Sequence, residues 1–180
     1  MLSDCGCLAR IGAPIGALLL GAAGCVVPPD LAPANDDATA PNSPPIVVSV
    51  ADKFGNPFTR PGPRSVTIGD DRLTVTVSDN DVDDTLTLWF FVDYGLPAPT
   101  ARRSQCLAPP SSAGTAERTV LCEIDTVCLD GDPASNPHIL ELEVFDRTPD
   151  DNGEPEFRSV APPGLSTGWW WEMNCMEGSS

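Results

Sequence analysis

Residues 72–94 read RLTVTVSDNDVDDTLTLWFFVDY: two runs in which apolar and other side chains alternate, joined by a turn dense in acid. In the first run Leu73, Val75 and Val77 fall on one face and Thr74 and Thr76 on the other. In the second, Leu86, Leu88, Phe90 and Val92 alternate with Thr87, Trp89, Phe91 and Asp93. Successive side chains of an extended chain point to opposite faces, whereas a helix repeats about every 3.6 residues. The stretch therefore predicts two consecutive strands, each giving one face to a core, with Asp79-Asn80-Asp81-Val82-Asp83-Asp84 as the link.

The same period extends outward. PIVVSVA (45–51) and RSVTI (64–68) come before it, separated by the turn-rich FGNPFTRPGP. RTVLCEI (118–124), HILELEVFD (138–146) and GWWWEMNC (168–175) come after it. With 20 Pro and 15 Gly punctuating them, about seven short strands predict an all-β Greek-key sandwich. The chain of 180 residues has room for one such domain, expected over 45–175, with 176–180 as a disordered tail.

The acidic turn, taken as Asp79 through Thr87, resembles the link between the second and third strands of cadherin-like and polycystic-kidney-disease-type immunoglobulin-like domains. Leu142-Glu143-Val144-Phe145-Asp146 is similar to the later strand of those domains that ends in Asp. The resemblance implies an immunoglobulin-like sandwich and says little of activity, because that fold serves many tasks.

The N-terminus speaks to location. Arg10 is followed by IGAPIGALLLGAA, too short to span a bilayer as a helix and suited to the apolar region of a secretory signal. Ala22-Ala23-Gly24-Cys25 resembles the lipobox of bacterial lipoproteins. That resemblance implies a signal peptide over 1–24, removed to leave Cys25 as a lipidated N-terminus. A plain secretory signal with a chance cysteine is the alternative. Residue 26 is Val, not Asp, which favours the outer membrane. The Pro-rich stretch 25–44 cannot bury enough surface to fold. At roughly 3 Å per residue it reads as a tether on the order of 50 Å long.

Cysteine usage agrees with export. Beyond Cys5, Cys7 and Cys25, four remain: Cys106, Cys122, Cys128 and Cys175. No C-x-x-C pair accompanies the single His138, so two disulfides are expected rather than zinc. Of the three pairings, Cys106 with Cys122 and Cys128 with Cys175 is favoured, the first closing a local loop and the second fastening the last strand. A formal charge of −16 argues against a nucleic-acid partner, since phosphate needs clustered Lys and Arg. The expected partners are the membrane, through the lipid, and an envelope protein or glycan.

Three chemical readings of the acidic turn stand beside one another. Asp and Asn are the residues that tight turns select for their local backbone bonds. Asp79, Asp81 and Asp83, with Asp84 beside them and Asp146 from the later strand, also supply the oxygens that calcium takes, although the spacing is not an EF-hand loop. A carboxylate pair working as an extracytoplasmic hydrolase is the third. No serine or cysteine nucleophile has a base, because His138 stands alone at a loop-to-strand boundary where a partly exposed surface role is expected. The reading reached is non-catalytic, with no cofactor required unless calcium binds.

Strand phase gives a sharper expectation. If Leu88 and Phe90 point inward, Trp89 and Phe91 point outward, and the same phase turns Phe145 and Trp170 out of neighbouring strands. The four could form one exposed aromatic patch for a partner. Alternatively a loop, with 95–118 the first choice, folds over them as a satellite core.

Overall fold

The computed structural model describes residues 42–177, apart from 70 and 133–135. The signal region, Cys25 and the tether before residue 42 lie outside the described residues, as does the end of the tail. Among the described residues there are ten strands and no helix. They are β1 (Ile46–Asp52), β2 (Arg64–Thr67), β3 (Arg72–Ser78), β4 (Leu86–Val92), β5 (Ser104–Ala108), β6 (Glu117–Glu123), β7 (His138–Phe145), β8 (Pro149–Asp150), β9 (Ser159–Val160) and β10 (Ser166–Met176).

Eight of these make two facing sheets, β1-β3-β6 and β2-β10-β7-β4-β5, and β8 pairs β9 in a separate ribbon. All pairings are antiparallel except β2 with β10. The chain changes sheet between β1 and β2, between β2 and β3, between β3 and β4, and again on either side of β6, the pattern of a Greek-key sandwich. The sequence foresaw seven of the ten strands, β1 to β4, β6, β7 and β10. It did not show β5, a five-residue edge strand in a Pro- and Ser-rich stretch, nor the two-residue strands β8 and β9.

The core follows from the alternation. Val50, Leu73, Val75 and Val77 of the smaller sheet face Leu88, Phe90, Leu140, Leu142, Val144 and Trp171 of the larger, all buried in one cluster. Register aligns them in rows: Phe90 lies opposite Leu142, and Leu142 opposite Trp169 across the other edge of β7. Trp171 also donates its Nε1–H to the Phe58 carbonyl at 2.7 Å, which satisfies a polar group that burial would otherwise penalise.

The two disulfides have the pairing favoured from the sequence. Cys106–Cys122 joins β5 to β6, edge strands of opposite sheets, and so closes one side of the sandwich. Cys128–Cys175 ties the loop after β6 to the end of β10. The opposite side is crossed by the chain between β1 and β2. There Gly62, at φ +114°, sits where a Cβ would come within 2.4 Å of the Glu172 carbonyl oxygen. Only glycine lets the two backbones approach so closely.

Candidate functional site

The four aromatic residues expected to form an exposed patch do not do so. Their strand phases are as read, but Trp89 is 4% exposed and Phe91 and Phe145 are fully buried; Trp170 alone lies open, at 46%. Trp89 meets Phe145 at a centroid distance of 5.2 Å and Phe91 at 6.2 Å, both edge to face, the arrangement ring quadrupoles favour. The 20 residues between β7 and β10 fold back over them and bring Phe157 and Val160 onto the rings. From the other side Tyr94 joins the cluster. Arg102 lies 4.1 Å over Trp89, and Arg158 covers Phe91 and Tyr94 at 4.7 and 3.9 Å.

The rim of this second core is polar. Arg158 reaches Glu141, Arg102 reaches Asp151, the Tyr94 hydroxyl donates to the Glu156 carbonyl, and Ser166 donates to Glu143. All seven residues of β4 are buried as a result, its inner face in the sandwich and its outer face under the lobe. The covering segment is thus mainly 146–165 rather than 95–118. Its polarity hid it: a stretch reading DRTPDDNGEPEFRSVAPPGL gives only Phe157, Val160 and Leu165 as large hydrophobic signals.

The acidic turn is built around an arginine. Arg118 is buried on β6, and its guanidinium donates to the carbonyl oxygens of Asp81, Asp84 and Ala108. Asp79 is 2% exposed; its Oδ1 accepts from the Asp81 N–H at 3.1 Å, and its Oδ2 has no partner among the described residues. Burial pushes the Asp79 carboxyl above its usual range, and the charges of Asp81 and Asp84 push the same way, against the Asp81 N–H bond and Arg118. Asp81 and Asp84 are half-buried and Asp83 is exposed.

Asp146, also 2% exposed, accepts from the Leu165 N–H and from the Asn42 amide. Ser43, next in the chain, accepts from Asn80. Asn42 and Ser43 therefore link the two acidic stretches at one end of the sandwich. No three His, Cys, Asp or Glu side chains among the described residues stand together as metal ligands.

His138 is buried rather than partly exposed. Its Nδ1 lies 2.7 Å from Asp93 Oδ2, while Asp93 Oδ1 accepts the Ile139 N–H at 2.8 Å. Asp93 holds φ +56°, uncommon for a residue with a Cβ. The pair pins the end of β4 to the start of β7.

On the open side, between β1 and β10, a groove of about 400 Å³ is lined by Ser49, Val50, Phe58, Thr59, Arg60 and Trp169. Trp169 stacks on Trp171 at 5.8 Å, and Arg60 lies 4.2 Å above its other face. The Trp169 Nε1 is buried without a partner among the described residues.

No protein-family model matches the chain, and no curated protein matches it. The site is therefore read from its own chemistry. The sequence pointed to the acidic turn and the outward rings. It gave no sign of the groove, because Arg60, Ser49 and Trp169 come together only through the crossing of the chain between sheets.

Proposed function

We propose that this protein is a non-catalytic binding or structural module, tethered to the bacterial cell envelope by a lipid on Cys25, with the outer membrane favoured. The observation that carries the reading is the pair of disulfides within one small β-sandwich, since such bonds persist only outside reducing compartments. The lipobox-like AAGC and the Pro-rich stretch after it add an anchor and a spacer. Several carboxylates that a hydrolase could use are otherwise engaged. Asp93, Asp132, Asp146 and Glu141 each receive hydrogen bonds that fasten a loop or strand end. An envelope protein or glycan is the partner such a module would hold.

The test is metabolic labelling of the full chain with an alkyne palmitate in a bacterial host, followed by membrane fractionation. Label on the wild type, and its loss with release of the protein in Cys25→Ala, is the expected result. An unlabelled chain found soluble outside the inner membrane sinks the anchoring.

A second reading, calcium-dependent adhesion, is favoured by one observation. Asp79 Oδ2 and Asn42 Oδ1 are two buried acceptor oxygens without partners among the described residues, at the end of the sandwich where Asn42 and Ser43 link the acidic stretches. A hard cation takes oxygens of this kind, whereas Arg118 already holds the carbonyls of Asp81 and Asp84. Addition of calcium after chelation should raise the melting temperature by several degrees if a cation belongs there. An unchanged melting temperature removes the reading.

A further inference from the structure

We infer that the groove beside β1 is a docking site for an extended, acidic peptide segment of a partner protein, which adds along the free edge of β1 and sets a carboxylate against Arg60. The inference deepens the binding-module reading and rests on it.

The edge is the first argument. β1 is the outer strand of the smaller sheet and pairs only with β3 along its length. Its other edge is covered over Val50–Asp52, where the Phe58 N–H donates to the Val50 carbonyl and Asp52 bonds Asn56. Toward Ile46 no described residue pairs with that edge, because the chain turns away after Phe58 to reach β2. Exposed edges in soluble proteins normally carry charge or proline to prevent pairing. Residues 46–50 read IVVSV without either, and Ile46 and Val48 are 60% and 46% exposed. The protective features among the described residues are Pro44 and Pro45, just before the strand, and the bulge at Val48. A strand that adds there continues the line already begun by Pro57 and Phe58, with Trp169 beside it. Main-chain pairing of this kind supplies affinity, and flanking side chains supply preference.

Charge is the second argument. The chain carries 26 acidic and 10 basic residues, so its cations are outnumbered almost everywhere. The groove is lined by Arg60 as its one charged residue, with no Asp or Glu in the lining. Arg60 is exposed and lies flat on Trp169, with no carboxylate against it among the described residues. A guanidinium held in place by an indole, with its donors free, is preorganised for a carboxylate. Association of two copies through β1 would bring two strongly acidic bodies together, which charge repulsion opposes. An acidic extended segment meets Arg60 instead.

The test begins with a displayed random heptapeptide library, panned on the oxidised full chain. The most enriched peptide is then synthesised and titrated by amide NMR. Enrichment of Asp and Glu at alternate positions is expected, with shifts at the Ile46–Val50 amides and at the Trp169 indole N–H. Arg60→Glu, its fold checked by melting temperature, should weaken that peptide at least tenfold and turn selection toward Lys and Arg. Enrichment without acidic bias, shifts confined elsewhere, or unchanged binding by Arg60→Glu overturns the inference. So does a dimer in light scattering whose formation perturbs the same amides. Peptides that bind away from β1 leave the binding-module reading standing while this site falls. Absence of any enriched peptide removes the site, and anchoring is then judged by the palmitate label alone.

Discussion

Arg158 and Glu141 meet over the outer face of the larger sheet, Nη2 donating to Oε2 at 2.7 Å, while the same guanidinium covers Phe91 and Tyr94. The arginine belongs to the lobe and the glutamate to β7, so one side chain seals two aromatic rings and binds the lobe to the sheet. Arg158→Ala removes a cation–π contact, a half-buried ion pair and stem packing together. We expect a loss of about 1–2 kcal/mol in urea unfolding. Protease cleavage within 150–156 should quicken by more than the global loss explains, because the lobe opens before the sandwich does. Uniform loss of stability with no faster local cleavage would show that lobe and sandwich open as one unit.

Trp89 and Trp170 share the outer face of one sheet but differ in cover, and single changes separate them. Trp89→Ser removes a ring packed against Phe91, Phe145 and Arg102, and should cost on the order of 3 kcal/mol. Trp170→Ser acts at a ring that is half open, and its unfolding free energy should stay within about 0.5 kcal/mol of the wild type. Comparable losses at both positions would contradict the burial seen here.

These two tryptophans also mark where sequence reading ran out. Alternation fixed which side of the sheet each faces, because phase is a local property of the strand. Whether an outward ring meets water depends on a segment more than fifty positions later, and that segment is mostly Pro, Asp, Gly and Glu. Its hold on the rings comes from Arg158 and Tyr94, whose bonds to Glu141 and Glu156 have no periodic signature. His138 was misread for a similar reason, since nothing local announces Asp93 as its partner. The cysteine pairing was more legible, as a local loop and a last strand were the natural things to fasten.

The disulfides differ in the loops they close. Cys106 and Cys122 are 16 positions apart and Cys128 and Cys175 are 47 apart. Loop-closure entropy then gives about 3 kcal/mol for the first and about 4 kcal/mol for the second. Paired Ala replacements should lower stability in that order, read from urea midpoints at constant slope. The shorter bridge also closes the β5–β6 side of the sandwich. Hydrogen exchange in β5 should therefore rise more in Cys106→Ala/Cys122→Ala than in the other pair, even though the global loss is smaller. Equal exchange in β5 for the two double variants would argue that edge pairing with β4 alone holds that strand.

Asp79 tests the acidic turn through pH. Burial raises its carboxyl above the ordinary 3.8, so the folded protein holds that proton to higher pH than the unfolded chain does. The associated stability is fully present below 3.8 and is lost as pH rises through the folded value. Asp79→Asn keeps an oxygen for the Asp81 N–H and removes the buried charge. In chelator at pH 7 it should raise stability by about 1 kcal/mol, because a neutral amide costs less to bury than a carboxylate even though its NH2 takes the place of the unpaired Oδ2. The gain should shrink as pH falls through the folded value, because the wild-type carboxyl then takes up its proton. Calcium added at pH 7 separates the two readings of the turn. If a cation pairs with Asp79 Oδ2, the wild type should gain several degrees and overtake the variant, which should not respond. If both proteins ignore calcium and the variant keeps its advantage at neutral pH, Asp79 is a buried turn residue whose charge the fold tolerates at a cost.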